Sequence, residues 1–326
     1  MDTEFHYYMT GIIAHAAGFT DAEARILAYA SEYTDENDEQ LRILEKKTNR
    51  IYENYISQTM NILQPKRTLM RIYPVFHFIP GDYDAKSTRR KDGKMHLLVT
   101  TPNSGIANEL IDAALKVTDE TRLHRIGIAT HAYADTWAHQ NFVGWYDYFN
   151  NIGLDLKPDI GHADAEHHPD WPSHRWEDNR LVESEIHNTA RFIEAAESIY
   201  SKYRQSEALK GRSSNMEWNL LREKLVDAMG TTFSGCLNWY ESDRTKKYHA
   251  LAPWLGTFDE TRWFNEAIQK NGIEWVRHRS CCWRETVEKE KTDWFLFQES
   301  VKAHQTLAMG YLESIFKKMG VDLHHH

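Results

Sequence analysis

The chain has little cysteine chemistry to offer. Its three cysteines, Cys236, Cys281 and Cys282, form no CxxC pair, so neither a disulfide framework nor a structural zinc knuckle is expected. It also lacks a basic block. Lys and Arg number 39 against 48 Asp and Glu, for a net charge of −9, so binding along an extended nucleic-acid duplex by charge alone is not expected. No window approaches 18 apolar residues, so no membrane span is expected. The start, MDTEFHYYMTGIIAHAAGF, has neither the basic opening nor the continuous apolar run of a signal peptide. The location expected on these grounds is cytoplasmic. Repeats and low-complexity tracts are missing too.

What is present reads as helix. The 326 residues are 41% hydrophobic, 27% charged and 12% aromatic, with 11 Trp, as in a globular protein with a large core or a lined cleft. The expected fold class is all-α: a single mainly helical domain over residues 1–323, with a short extended or hairpin insertion and additional C-terminal helices over 181–320 packed on the rest. Residues 324–326, HHH, read as a tag remnant. Thr20 and Glu23 form a capping-box pattern opening a helix through DAEARILAYASEY. A long amphipathic stretch from about residue 38 to 63, ended by Pro65, reads as a second helix. IYPVFHFIP and KMHLLVTT have strand composition and read as a small hairpin or as extended loops. Ser104 reads as the cap of GIANELIDAALKV, and Thr118 as the cap of the helix that follows it. Residues 144–179 are irregular, as a long functional loop would be. Helical periodicity returns over 181–204, 218–240, 260–270 and 284–318, and KGRSSN, 210–215, is the best linker candidate.

One helix raises a chemical question. THAYADTWAHQNF, residues 130–142, is mostly small and aromatic, yet carries His131, Asp135 and His139 at four-residue intervals. On a helix they share one stripe, with His124 in register, and His131 and His139 are separated by a rise of roughly 12 Å. That is too far for one small ion to take both imidazoles, and it suits two ions with Asp135 bridging. A buried His–Asp pair can also be an inert structural hydrogen bond. Three such residues in register make that reading less economical, because a buried carboxylate needs a cation beside it. Other donors crowd GHADAEHHPDW: His162 and Glu166 four apart, with Asp164, His167, His168 and Asp170. His77, in YPVFHFIP, is as readily a core residue as a ligand. Asp35 at a helix end, His6 and His15 complete the set.

HAYAD, read as H-x3-D, and HADAE, read as H-x3-E, give the chain a resemblance to the zinc-dependent phospholipase C and P1 nuclease superfamily. It resembles in particular a bacterial branch that begins with an FHYY-like segment and contains an AYASEYTD-like one. The resemblance covers about residues 1–180 and implies a helical bundle holding a zinc cluster in that half. It implies His131 and Asp135 as one ligand pair, with Asp135 bridging, and His162 and Glu166 as another, for which Asp170 or Asp164 can stand in. It further implies Asp35 as an early bridging carboxylate, His77 as a ligand and His6 as an N-terminal ligand. Two departures stand out. The relatives place a histidine about six residues after the central Asp, where His139 follows by four. They also bind one metal through the amine and carbonyl of an N-terminal Trp, where this chain begins with Met1. Two or three ions are expected, with one remaining open. Zinc leads because the donors are imidazole-rich; manganese and iron are the alternatives.

The expected function is a metal-dependent hydrolase of phosphoric esters. A metal-bound hydroxide would serve as nucleophile, with Asp35 and Asp135 as the catalytic carboxylates. The substrate would be a small phosphoester, a lipid headgroup or a nucleotide. Phe142, Trp145, Tyr146 and Trp171 would line its pocket or simply be core, and Arg175 would meet a phosphate or do nothing. The alternative is a non-catalytic, metal-stabilised helical binding protein. A phosphohydrolase of the HD type is disfavoured, since no histidine is followed directly by aspartate before or after any turn of this chain.

Overall fold

The computed structural model describes residues 1–59, 61, 66–153, 157–271 and 280–321. Pro65 and the terminal histidines fall outside them. Ten α-helices are described: α1 Thr10–Ala17, α2 Asp21–Glu36, α3 Lys66–Leu69, α4 Gly105–Leu115, α5 Arg122–Ala138, α6 Asn188–Gln205, α7 Trp218–Met229, α8 Glu241–Leu251, α9 Arg262–Ala267 and α10 Asp293–Lys318. Two π-helical turns, Glu4–Met9 and Tyr73–His77, sit beside them. The strands are β1 Arg42–Glu45, β2 Arg50–Glu53, β3 Tyr146–Asp147, β4 Asp159–Ile160, β5 Arg175–Glu177, β6 Glu185–His187, β7 Ile268–Asn271 and β8 Ser280–Trp283.

The all-α expectation is therefore corrected. A four-stranded mixed sheet runs in the order β2-β1-β8-β7, and two two-stranded ribbons, β3-β4 and β5-β6, lie in the loop region. The stretch read as a helix from about 38 to 63 contains the β1–β2 hairpin, paired from Arg42↔Glu53 to Glu45↔Arg50. Strand β1 also pairs in parallel with β8, Ile43 opposite Cys281. That partner lies more than 200 residues away, so no local periodicity could announce it. Conversely, YPVFH, read as strand, is a π-helical turn opened by Pro74 near its start. Its approach to the second apolar run is the isolated bridge Pro80↔Thr100.

Helix α5 is the axis of the fold, packed against α2, α4, α6 and α10. From Ile126 to Ala138 every residue is buried, as expected of a helix enclosed on all sides. Its neutral polar groups are accounted for: Thr130 Oγ1 meets the Tyr203 hydroxyl at 2.6 Å, and Thr136 Oγ1 donates to the Tyr133 carbonyl at 2.7 Å. The caps agree with the sequence. Thr20 and Glu23 make the full capping box on α2, and the Ser104 side chain accepts from Ala107 N–H on α4. Helix α5 begins three residues later than expected, behind Thr121 rather than Thr118. The α2–α5 contact is unusually close at Gly127. A Cβ placed there would lie 2.6 Å from Ala30 Cβ and 2.7 Å from the Leu27 carbonyl. This approach sets Asp35, at the far end of α2, against the His131–Asp135 stripe. No helix among the described residues is long and apolar enough to cross a membrane.

Candidate metal centre

The residues singled out on α5 meet donors from four other segments. Asp135, 1% exposed, occupies the middle. Its Oδ2 lies 3.3 Å from His131 Nε2, 3.4 Å from His77 Nδ1 and 3.5 Å from His139 Nδ1. Its Oδ1 accepts from the Met1 amino group at 2.6 Å and faces His6 Nε2 at 3.1 Å. Asp35 Oδ1 stands 3.5 Å from His77 Nδ1 and 3.7 Å from His131 Nε2, with its Oδ2 3.9 Å from His6 Nε2. Asp170 is approached by His139 Nε2 at 3.2 Å, His162 Nε2 at 3.5 Å and the Met1 amine at 3.2 Å. Both π-helical turns carry a donor, His6 in one and His77 in the other, in keeping with the frequency of such turns at functional sites.

Three sets of side chains converge closely enough to hold an ion: His6, Asp35 and His131; His77, His131 and Asp135; His139, His162 and Asp170. Two ligands at the 2.0–2.1 Å bonds of a tetrahedral zinc site stand about 3.4 Å apart. The three spacings of the second set, 3.1–3.4 Å, are those of such a shell, and in the third the two Asp170 oxygens stand 3.2 Å from His139 Nε2 and 3.5 Å from His162 Nε2. The first set is wider, at 3.7–3.9 Å. His131 Nε2 belongs to both of the first two sets and has one lone pair to give. Together the three sets thus supply two ions at a time.

The chemistry of the imidazoles supports a cation here. His77 Nε2–H donates to the Ser57 carbonyl, His139 Nδ1–H to the His77 carbonyl and His162 Nδ1–H to the Glu166 carbonyl, each at 2.8 Å. A carbonyl only accepts, so each bond fixes a proton on that nitrogen and, in the neutral ring, leaves the opposite lone pair facing the cluster; at His77, where burial is outweighed by Asp135 and Asp35 and the pKa is raised, an ion would displace a proton from that position. Metal-binding histidines are oriented in this way. At His162 burial pushes the pKa below its ordinary value, with Asp170 opposing and His139 adding to the effect. Its neutral Nε2 and the Asp170 carboxylate are then two acceptors facing each other, a contact that only a cation makes favourable. His6, lowered to about 3 by burial and then by His131, is likewise neutral. Unlike the three anchored rings, His6 and His131 find no partner at Nδ1 among the described residues.

The carboxylates respond in the opposite sense. Burial works to raise Asp135 and Asp170, but the surrounding imidazoles and the Met1 ammonium outweigh it and hold both well below the usual range. For Asp35, burial is outweighed by His131, His77 and His6. The Met1 amine is raised to about 11, because Asp135, Asp170 and Asp35 overcome its burial. Even with His77 protonated, as its raised pKa favours, two positive groups face three carboxylates, and a divalent ion would correct that excess. The donors open on a cleft of about 660 Å³ lined by Asp35, His77, His139, His162 and Asp170, with Tyr73, Phe78 and Ile160 as apolar wall. A smaller cleft of about 350 Å³, bordered by Glu36, Glu260 and Lys270, contains none of them.

Of the residues named from sequence, His6, Asp35, His77, His131, Asp135, His139 and His162 come together here. The Glu166 carboxylate is outside all three sets, although the residue borders the cleft. What it contributes is its carbonyl, through a backbone at φ 50°, ψ −126°. Asp170 takes the carboxylate position in the third set. Asp164 accepts instead from the Ile152 and Gly153 backbone N–H groups. His124 pairs with Asp293 at 3.0 Å and His15 with Asp21 at 3.3 Å, both away from the cluster. Phe142 is core beneath Arg180, and Arg175 pairs with Glu185 on the surface. Sequence reasoning missed the Met1 amine, which no side-chain motif could reveal.

A mixed helical and β scaffold with buried imidazoles and carboxylates at the spacing of a coordination shell defines a candidate dinuclear metal centre. The chain belongs to the family whose model matches residues 1–312, described as Family of unknown function (DUF6765). No curated protein and no solved structure matches it.

Proposed function

We propose that this protein is a divalent-cation-dependent hydrolase of phosphoric esters, with zinc as the resident ion at two positions. The observation that carries the reading is the pair of donor sets His77/His131/Asp135 and His139/His162/Asp170. Their free nitrogen and oxygen atoms are spaced as the ligands of a tetrahedral ion. When bound, such ions supply positive charge for phosphoryl oxygens and an acidified water at neutral pH. The chain's own residues do the rest. Asp135 gives Oδ2 to the first of these two sets, while its Oδ1 meets the Met1 amine, which also meets Asp170 of the other. Asp35, whose side chain is 27% exposed at the cleft, is placed to hold the attacking water and take its proton. Tyr73, Phe78 and Ile160 give the substrate an apolar wall beside the donors.

The alternative, a metal-stabilised binding protein, requires ions saturated by protein ligands. The open cleft over the donors favours the hydrolase. Metal content of purified protein and of Asp135→Ala tests the first step, with two ions per chain expected in the former and loss in the latter. Fewer than one ion in the unaltered protein would end the reading. Turnover of a chromogenic phosphodiester, abolished by chelator and restored by zinc, tests the second. Metal retained without turnover on any phosphoester would favour the binding protein.

A further inference from the structure

Residues 230–240, GTTFSGCLNWY, contain no charged side chain in a chain that is 27% charged. Three of them turn large apolar groups to solvent: Leu237 is 53% exposed, Trp239 77% and Tyr240 47%. An apolar patch gathered on one loop in this way is often functional. The loop is held from beneath. Asn238 Oδ1 accepts from Arg244, itself 2% exposed and clamped on Glu4 through bonds of 2.6 and 2.7 Å. The Tyr240 ring packs on Phe233, centroids 5.7 Å apart. Phe233 lies 6.3 Å from Trp171, and Trp171 stacks on His167, which borders the cleft. Three successive ring contacts, of 5.7, 6.3 and 5.9 Å, thus connect Tyr240 at the base of the tip to His167 at the cleft's edge.

We propose that the 236–240 loop is an interfacial anchor that docks the protein on a zwitterionic lipid surface. The tip exposes roughly 300–400 Å² of large apolar side chain, counting about 150–250 Å² for a whole aromatic residue. That is well short of the ~800 Å² per partner of a stable protein interface, whereas insertion into a headgroup layer needs no matching surface. A Leu flanked by Trp and Tyr has the composition of an interfacial belt, apolar with wet polar tips. The charges nearest the loop in sequence are the acidic Glu241, then Asp243 paired with Lys246, Arg244 paired with Glu4, and Asp227 paired with Lys247. Among the described residues that flank the loop in sequence no basic patch forms to select an anionic lipid, which is why the surface is assigned as zwitterionic.

The anchor stands independently of the metal reading, and its test separates the two. Sedimentation with phosphatidylcholine vesicles in chelator is expected to carry down both the unaltered protein and Asp135→Ala. The double variant Leu237→Ser, Trp239→Ser changes exposed side chains only, and its fold is checked by thermal melting. It is expected to lose vesicle affinity by about tenfold or more, in line with the apolar area removed. A polarity-sensitive dye on Cys236, the exposed cysteine, is expected to shift to the blue with vesicles. No binding by the unaltered protein, equal binding by the double variant, or a dimer that the double variant dissolves would each overturn the proposal. The dimer would assign the loop to a second copy of the chain.

Discussion

Gly127 offers the sharpest test of how the scaffold sets the site, because it has no side chain and touches no donor. In Gly127→Ala the new Cβ would meet Ala30 Cβ at 2.6 Å and the Leu27 carbonyl at 2.7 Å. Carbon atoms pack at about 3.5–4.0 Å, so α2 and α5 must part by about 1 Å. Overpacking of this kind costs about 1–3 kcal/mol. At about 2.1 cal/mol/K of unfolding entropy per residue, the 326 residues convert that into a Tm lowered by about 2–4 °C. The same displacement moves Asp35 relative to the α5 stripe, where its Oδ1 stands 3.7 Å from His131 Nε2. A misplacement of about 1 Å can cost about a hundredfold in activity. The assay is thermal melting in chelator and in zinc, with zinc affinity by competition against a chromogenic chelator. Gly310→Ala is the control. It lies in α10 with open space around it, and should gain about 0.5–1 kcal/mol from helix propensity without changing zinc affinity. If Gly127→Ala melts with the unaltered protein and binds zinc equally well, the α2–α5 contact does not set the site.

Asp170→Asn should remove one ion per chain, whereas Glu166→Gln should remove none and Glu166→Gly should raise stability by about 1 kcal/mol by relieving its positive φ. Metal loss in Glu166→Gln would return its carboxylate to the ligand set. Glu32 is buried, accepts from Thr3 Oγ1 at 2.6 Å, and is raised to about 8 by burial and then by Asp35. The folded state therefore binds the extra proton, so this group costs stability progressively as pH rises from the ordinary Glu value to about 8. Glu32→Gln should be the more stable form in chelator, by up to a few kcal/mol at pH 8, with the gap closing toward pH 4.5 in urea denaturation; a pH-independent gap would refute the assignment. Arg244→Met breaks a buried bidentate pair and should cost about 3–5 kcal/mol, much of it recovered when Glu4→Gln is added. Equal stability of the single and double variants in urea would show that the Arg244–Glu4 pair is not the cause.

The parts of the fold legible in the sequence were those written locally. Thr20 with Glu23 and Ser104 cap the helices they open, and the four-residue stripe on α5 lies in the core with its donors converging. The sheet was illegible because β1 is completed by β8 and RILE carries no local mark of a distant partner. Composition misled at YPVFH, whose β-branched and aromatic residues fit a strand while its position against α5 makes it a π-helical turn. The site followed the same division. Spacing revealed donors on one helix, but the choice between the carboxylates of Glu166 and Asp170 depended on a backbone turn. The amine of Met1 could be placed only by folding.

The pairing of β1 with β8 has a consequence for synthesis. Every donor of the candidate centre lies within the first 170 residues, yet β1 waits for a strand near residue 281. Helix α5 and the turn carrying His77 wait for α10, which starts at Asp293. A nascent chain on the ribosome would thus hold all its ligands long before it has the walls that aim them. Selective capture of an ion is then expected only once α10 has closed against the first half.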